Sequence, residues 1–127
     1  MLNRTPSKIL AIGNPIMVRR LAAKIDRDQF TVTGCNNADE AAGLLENDQF
    51  DMVIVDNLVH NAGFVCKTAA VAGEAPVTVL LQEKPVNWRE LGSLAVDGFL
   101  TDSGTNAEFM ARLRAYLRRK PGIYASI

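Results

Sequence analysis

The sequence predicts an α/β fold: a parallel sheet with helices on both faces, packed as a three-layer sandwich. Three observations carry that prediction. Short apolar runs bounded by polar residues alternate along the chain with segments of helical periodicity, the pattern of βα units feeding a parallel sheet. The run Phe50-Asp51-Met52-Val53-Ile54-Val55-Asp56 is rich in Val and Ile, which marks a strand buried on both faces. That run stops abruptly on a carboxylate. Ligands in open α/β sheets bind beyond the carboxyl ends of the strands, so Asp56 stands where chemistry is expected.

The elements follow in order. Lys8-Ile9-Leu10-Ala11-Ile12 is an apolar strand ending at Gly13-Asn14-Pro15. Asn14 suits an N-cap and Pro15 the first helical turn. Ile16, Val18, Leu21, Ala22 and Ile25 recur near helical spacing, so helix one is expected from about Pro15 to Asp26. Phe30-Thr31-Val32-Thr33 alternates as a short strand nearer an edge. Asn37 with Glu40 opens a helix in capping-box fashion, with Ala38, Ala41, Ala42, Leu44 and Leu45 inward and a stop near Asn47. The Phe50 to Asp56 run is the third strand. Asn57 to Gly63 is a polar loop, and Phe64 to Ala72 a helix stopped by Gly73.

Pro76 to Leu81 is the fourth strand. Lys84-Pro85 interrupts the chain, and Asn87 with Glu90 starts a short helix through Ala95. Gly98 to Thr101 is the fifth strand. Thr105 and Glu108 form a second capping box. The helix they open carries Phe109, Met110, Leu113, Tyr116 and Leu117 on one face and ends at Pro121-Gly122. Right-handed crossovers then place helices on both sides of the sheet. Residues 1–120 are expected to form one domain, with 121–127 a tail or the start of a linker.

Composition narrows the function classes. The chain has 127 residues, 48% hydrophobic and 22% charged, with 14 basic and 14 acidic side chains. That is the size and balance of one ordinary globular domain, with no global charge favouring nucleic acid or an anionic membrane. No signal-peptide core and no apolar run of ~18 residues is present, so a cytoplasmic protein is expected. Cys35 and Cys66 have neither metal spacing nor a disulfide framework and read as reduced thiols.

The segments Lys8 to Gly13, Phe50 to Asp56, Pro76 to Leu81 and Gly98 to Asp102, at these separations, resemble bacterial response-regulator receiver domains. The resemblance runs from about Ser7 to Lys120. It implies a flavodoxin-like sheet of order 2-1-3-4-5, with Asp56 in the place of the aspartate that accepts a phosphoryl group from a histidine kinase. Around Asp56 the pattern departs from the family. The acidic pair that binds Mg²⁺ is replaced by Gly13 and Asn14, or by Ile12 and Gly13 in the shifted register. The hydroxyl residue ending strand four is Leu81, with Thr78 nearby. The Lys-Pro pair after strand five reads Asp102-Ser103, and the loop proline after the aspartate is His60.

Phosphoryl transfer to a carboxylate needs positioning and charge neutralisation. Loss of one electrostatic stabiliser costs ~3–4 kcal/mol in the transition state. Several such losses predict a degenerate receiver, a signalling module that works through protein contacts, without a cofactor. An alternative keeps Asp56 phosphorylatable by a histidine kinase with Mg²⁺, since the nucleophile remains. A contrary reading has Asp56 and Asp102, with Asn14, form a rebuilt oxygen site for Ca²⁺ or Mg²⁺. A third reading binds a small ligand at the strand ends. An enzyme with independent turnover is not expected, because no nucleophile–base–orienter set is evident. His60, the sole histidine, reads as an exposed loop residue. Phe99 holds the position of the receivers' switch aromatic and is expected to be fixed, as Leu81 removes its partner. Trp88, Arg89, Arg112, Tyr116 and Arg119 are interface candidates. By the resemblance they lie near the face of helix four, strand five and helix five, which receivers use for dimers and partners. Arg112 to Lys120 carries five cations, which complement the helix's own C-terminus and are not expected to bind nucleic acid.

Overall fold

The computed structural model describes residues 6–25, 27–81, 96–101 and 104–117. The predicted helix from Asn87 to Ala95 and the tail 121–127 lie outside them. The elements are β1 (Ser7–Ile12), α1 (Pro15–Lys24), β2 (Phe30–Cys35), α2 (Ala38–Asn47), β3 (Met52–Asp56), α3 (Ala62–Ala72), β4 (Val77–Leu81), β5 (Gly98–Thr101) and a final helix, α4 (Asn106–Leu117). The strands form one parallel sheet in the order β2-β1-β3-β4-β5. This is the flavodoxin-like order that the family resemblance implied.

Side-chain alternation splits the core into two layers. Ile9, Ala11, Met52, Ile54, Leu80 and Leu100 pack on one face with Met17 and Leu21 of α1 and Phe109, Met110 and Leu113 of α4. Leu10, Ile12, Val53, Val55, Val77 and Val79 pack on the other with Ala41 and Leu45 of α2 and Val65, Cys66 and Ala69 of α3. All five residues of β3 are buried. At the N-terminal ends of the strands a reciprocal clasp fixes β1 beside β3: Lys8 N–H donates to Asp51 Oδ2, and Asp51 N–H to Lys8 O, each at 2.7 Å.

The capping box at Asn37 forms, and Thr105 caps α4. Glu40 N–H donates to Asn37 Oδ1 at 2.9 Å while Asn37 Nδ2 donates to Glu40 Oε1 at 2.8 Å. Glu108 N–H donates to Thr105 Oγ1 at 3.1 Å. Several expected boundaries move. Helix α1 stops at Lys24 because Ile25 turns to extended backbone and goes into the core. Its inner face is Met17, Leu21 and Ile25, whereas Ile16, expected inside, is 66% exposed. Strand β2 continues through Gly34 and Cys35, since β1 stays in register with it up to Ile12↔Cys35. Gly34 suits this position because a Cβ there would lie 2.7 Å from Val18 Cγ1. Helix α3 begins at Ala62, two residues early, with Asn61 as its N-cap.

Burial pushes both thiols up to about 11, Cys66 by desolvation alone and Cys35 by desolvation first and then the nearby Glu40. A thiol whose folded pKa exceeds its unfolded value contributes stability that is complete below the unfolded pKa and is lost as pH rises through the folded one. Unfolding free energy should therefore fall between about pH 9 and 11, by roughly 1.4 kcal/mol per pH unit per thiol. Urea titrations across that window, compared with Cys66→Ala, check this. An unchanged slope in the variant would remove the thiol from the account.

Candidate functional site

The carboxyl ends of β1 and β3 adjoin at the centre of the sheet, and Asp56 closes β3 there. It is one of two buried polar or charged residues among the described core, 3% exposed. Its carboxylate folds back on its own loop. Oδ1 accepts the Leu58 N–H at 3.0 Å and the Asp56 carbonyl accepts the Val59 N–H at 3.1 Å. This is the local turn that Asp forms readily, a short side chain standing in for a backbone acceptor. Asn57 N–H donates across to Leu80 O at 3.1 Å, tying the loop to β4.

Gly13 lies directly against this carboxylate. A Cβ at position 13 would come within 2.8 Å of Asp56 Cβ and 3.3 Å of Asp56 Oδ2, and inside the van der Waals shell of Met17 Cε. A side chain at Gly13, one of the positions where the receiver pattern carries an acid, would require Met17 and Asp56 to shift. Asn14, its neighbour, turns Oδ1 to the Ile16 N–H at 2.7 Å and caps α1. Thr78 is fully buried two residues before the level of Asp56 in the β3–β4 register, and its hydroxyl donates to Val53 O at 3.2 Å. That proton is committed within the sheet. Leu81, at the end of β4, borders the α2/α3 core layer and offers no hydroxyl.

Gly13, Asn14 and Asp56 thus meet at one end of the sheet. Divalent cations need several oxygen ligands. Here Gly13 brings no side-chain oxygen, Asn14 Oδ1 accepts the Ile16 N–H and Asp56 Oδ1 accepts the Leu58 N–H. Among the described residues no group of three or more His, Cys, Asp or Glu side chains could hold a metal ion. Asp102 lies outside the described residues, as do Ser103, Trp88, Arg89 and Arg119. His60 is exposed in the loop after Asp56. Asn61, next to it, takes the left-handed conformation at φ 56°, the one non-glycine residue with positive φ among those described. Asn tolerates that region better than most side chains. Asn61→Val should cost about 1–2 kcal/mol, while Asn61→Gly stays within about 0.5 kcal/mol of the parent. Equal losses from both in thermal melts would show that the backbone conformation is not the cause.

A second constellation sits where α4 crosses β5. The Tyr116 hydroxyl accepts the Phe99 N–H and donates to the Phe99 carbonyl, both at 3.2 Å. Its ring covers Gly98, where a Cβ would overlap the ring atoms. Tyr116, a candidate for contact with a partner, is therefore half-buried with its polar end engaged inside the molecule. Arg112 is exposed. Arg114 reaches the other way, its Nε and Nη2 donating to Gln29 Oε1 at 3.2 and 2.8 Å. Phe99 itself is partly buried against the α2/α3 layer. Sequence reasoning missed Met17 and Gly98. The spacing of Met17, Leu21 and Ile25 carries the signal for the first, and a glycine opening an edge strand the weaker signal for the second.

No protein-family model and no curated protein matches the chain. Solved structures do. The chain aligns over its whole length with 98% of the signal receiver domain of an HD domain-containing protein from Pseudomonas fluorescens Pf-5, at a TM-score of 0.79 and 15% identity. It aligns over 95% of its length with 99% of a structure from Pelobacter carbinolicus described as a response regulator receiver modulated diguanylate cyclase, at 0.73 and 22% identity. A response regulator receiver protein from Sinorhizobium medicae WSM419 aligns with 91% of the chain at 0.69 and 16% identity. The chain has the receiver-domain fold.

Proposed function

We propose that this receiver fold serves as a signalling interaction module in a two-component system, acting through protein contacts without the Mg²⁺-dependent aspartyl-phosphate cycle. The observation that carries the reading is the contact between Gly13 and Asp56. The space from which an acid would hold a cation is closed by the nucleophile's own Cβ and by Met17. Thr78 donates its hydroxyl to the sheet and Leu81 supplies none. In this reading the Asp56 carboxylate serves the loop leading to α3, its Oδ1 accepting the Leu58 N–H. Partners would then meet a surface of fixed shape. The half-buried Phe99, whose N–H is bonded by Tyr116, fits a domain with one dominant state.

The test is an amide NMR titration with Mg²⁺ to about 10 mM, a range that covers weak oxygen-ligand sites, followed by beryllofluoride. The expected spectrum is unchanged around Asn14, Asp56 and Phe99. Saturable shifts at Asn14 and Asp56, spreading to Phe99 with beryllofluoride, would overturn the proposal and make Asp56 the acceptor for a histidine kinase.

A further inference from the structure

A cleft runs between helices α1 and α4, on the sheet face opposite α2 and α3. Its volume is about 440 Å³, within the range of clefts that take small molecules. Its floor is apolar, formed by Ile25 and Met110, which are 3% and 6% exposed. Ala23 and Ala107, both exposed, stand at its sides, and their single methyl groups leave it open. Among the described residues two half-buried cations line the cleft, Lys24 and Arg114, and no acidic side chain does. Arg114 is held in place by a neutral group. Its Nε and Nη2 donate to Gln29 Oε1, and among the described residues no carboxylate pairs with it. Its Nη1 therefore keeps two donors for a further acceptor. Lys24 Nζ lies 5.3 Å from the centroid of the Phe109 ring, so this ammonium too is drawn over apolar surface. Charges of one sign, partly withdrawn from water beside an apolar floor, attract an anion more strongly than the same charges fully solvated.

We propose that this cleft binds a small organic carboxylate, its charge on Arg114 and Lys24 and its hydrocarbon body on Ile25 and Met110. The planar guanidinium suits a carboxylate, whose two oxygens accept in the plane of the fork. An inorganic anion would use the cations and leave the floor wet. A neutral alcohol would cover the floor and leave the cations unmatched. None of the residues lining the cleft belongs to the Asp56 loop, so this ligand would bind whether or not Asp56 is ever phosphorylated.

The test is an amide NMR titration of the full chain with hexanoate to roughly 20 mM at constant ionic strength, covering the millimolar affinity of a ligand this small. Saturable shifts are expected at Lys24, Ile25, Ala107, Met110 and Arg114. Acetate and 1-hexanol, which each carry half of the probe's chemistry, should bind at least about tenfold more weakly. Arg114→Gln and Lys24→Gln should each weaken hexanoate about tenfold. Ala107→Trp fills the cleft from an exposed position and should abolish the shifts with the melting temperature unchanged. A parent chain that shows no saturable shift would overturn the proposal. So would acetate or hexanol binding as tightly as hexanoate, or an affinity indifferent to Arg114→Gln or to Ala107→Trp.

Discussion

Gly13→Asp should destabilise the protein by about 3 kcal/mol or more, the overpacking range plus like-charge repulsion, and should create no magnesium site. The substitution restores the residue type that the receiver pattern carries near this position, so on sequence grounds it looks like a repair. The packing says otherwise. The new Cβ meets Met17 Cε, the far end of a flexible chain that can swing aside. It also meets Asp56 Cβ at 2.8 Å, one bond from the backbone of a strand buried along its whole length. That second contact is relieved only by moving β1 or β3. The new carboxylate would then lie beside a buried one, and each disfavours the other's ionised form. Gly13→Ala isolates the steric part and should cost about 1–3 kcal/mol. Chemical denaturation and a Mg²⁺ titration of both variants decide the matter. A Gly13→Asp protein as stable as its parent that binds Mg²⁺ at millimolar concentration would sink both this prediction and the closed-site reading.

Gly98→Ala should be nearly as costly, about 2–4 kcal/mol, as overpacking is joined by the loss of hydrogen bonds. A methyl group at position 98 overlaps the Tyr116 ring. The ring leaves only by giving up the two bonds from its hydroxyl to Phe99. A double-mutant cycle identifies the cause. With Tyr116→Ala in place the obstruction is gone, and Gly98→Ala should cost nothing or gain about 0.5 kcal/mol, since Ala suits a strand better than Gly. Additive losses would mean that position 98 is sensitive for a reason unrelated to Tyr116.

These two glycines mark the limit of what the sequence discloses. The fold was legible because each buried strand is a run of aliphatic residues of the right length and the starts of α1, α2 and α4 carry a capping residue. Strand order came from the family resemblance, and the sheet has the same order. At the site, the positions of Asp56, Gly13 and Leu81 could be read, since their places follow from where strands end. Their contacts could not. Met17 approaches Gly13 from one turn away because α1 is rotated to bury Met17, Leu21 and Ile25, which leaves Ile16 outside. The apolar residues at 16, 17 and 18 fit either rotation. The start of α3 was hidden because Asn61-Ala62-Gly63 has the composition of a turn, although Ala62 is buried. The length of β2 was hidden by Gly34, a residue that normally weakens a strand and here makes room for Val18.

The Tyr116 contact has a consequence for how the domain opens. Stability within a fold is uneven, and the least protected elements open in cooperative groups. Strand β3, buried at every residue between β1 and β4, belongs to the unit that opens only with global unfolding. Strand β5 is four residues at the sheet's edge, and Tyr116 fastens it to α4. The two should therefore detach together as one subdomain. A binder that grips α4 would then shift the population of a local opening at the carboxyl end of the sheet.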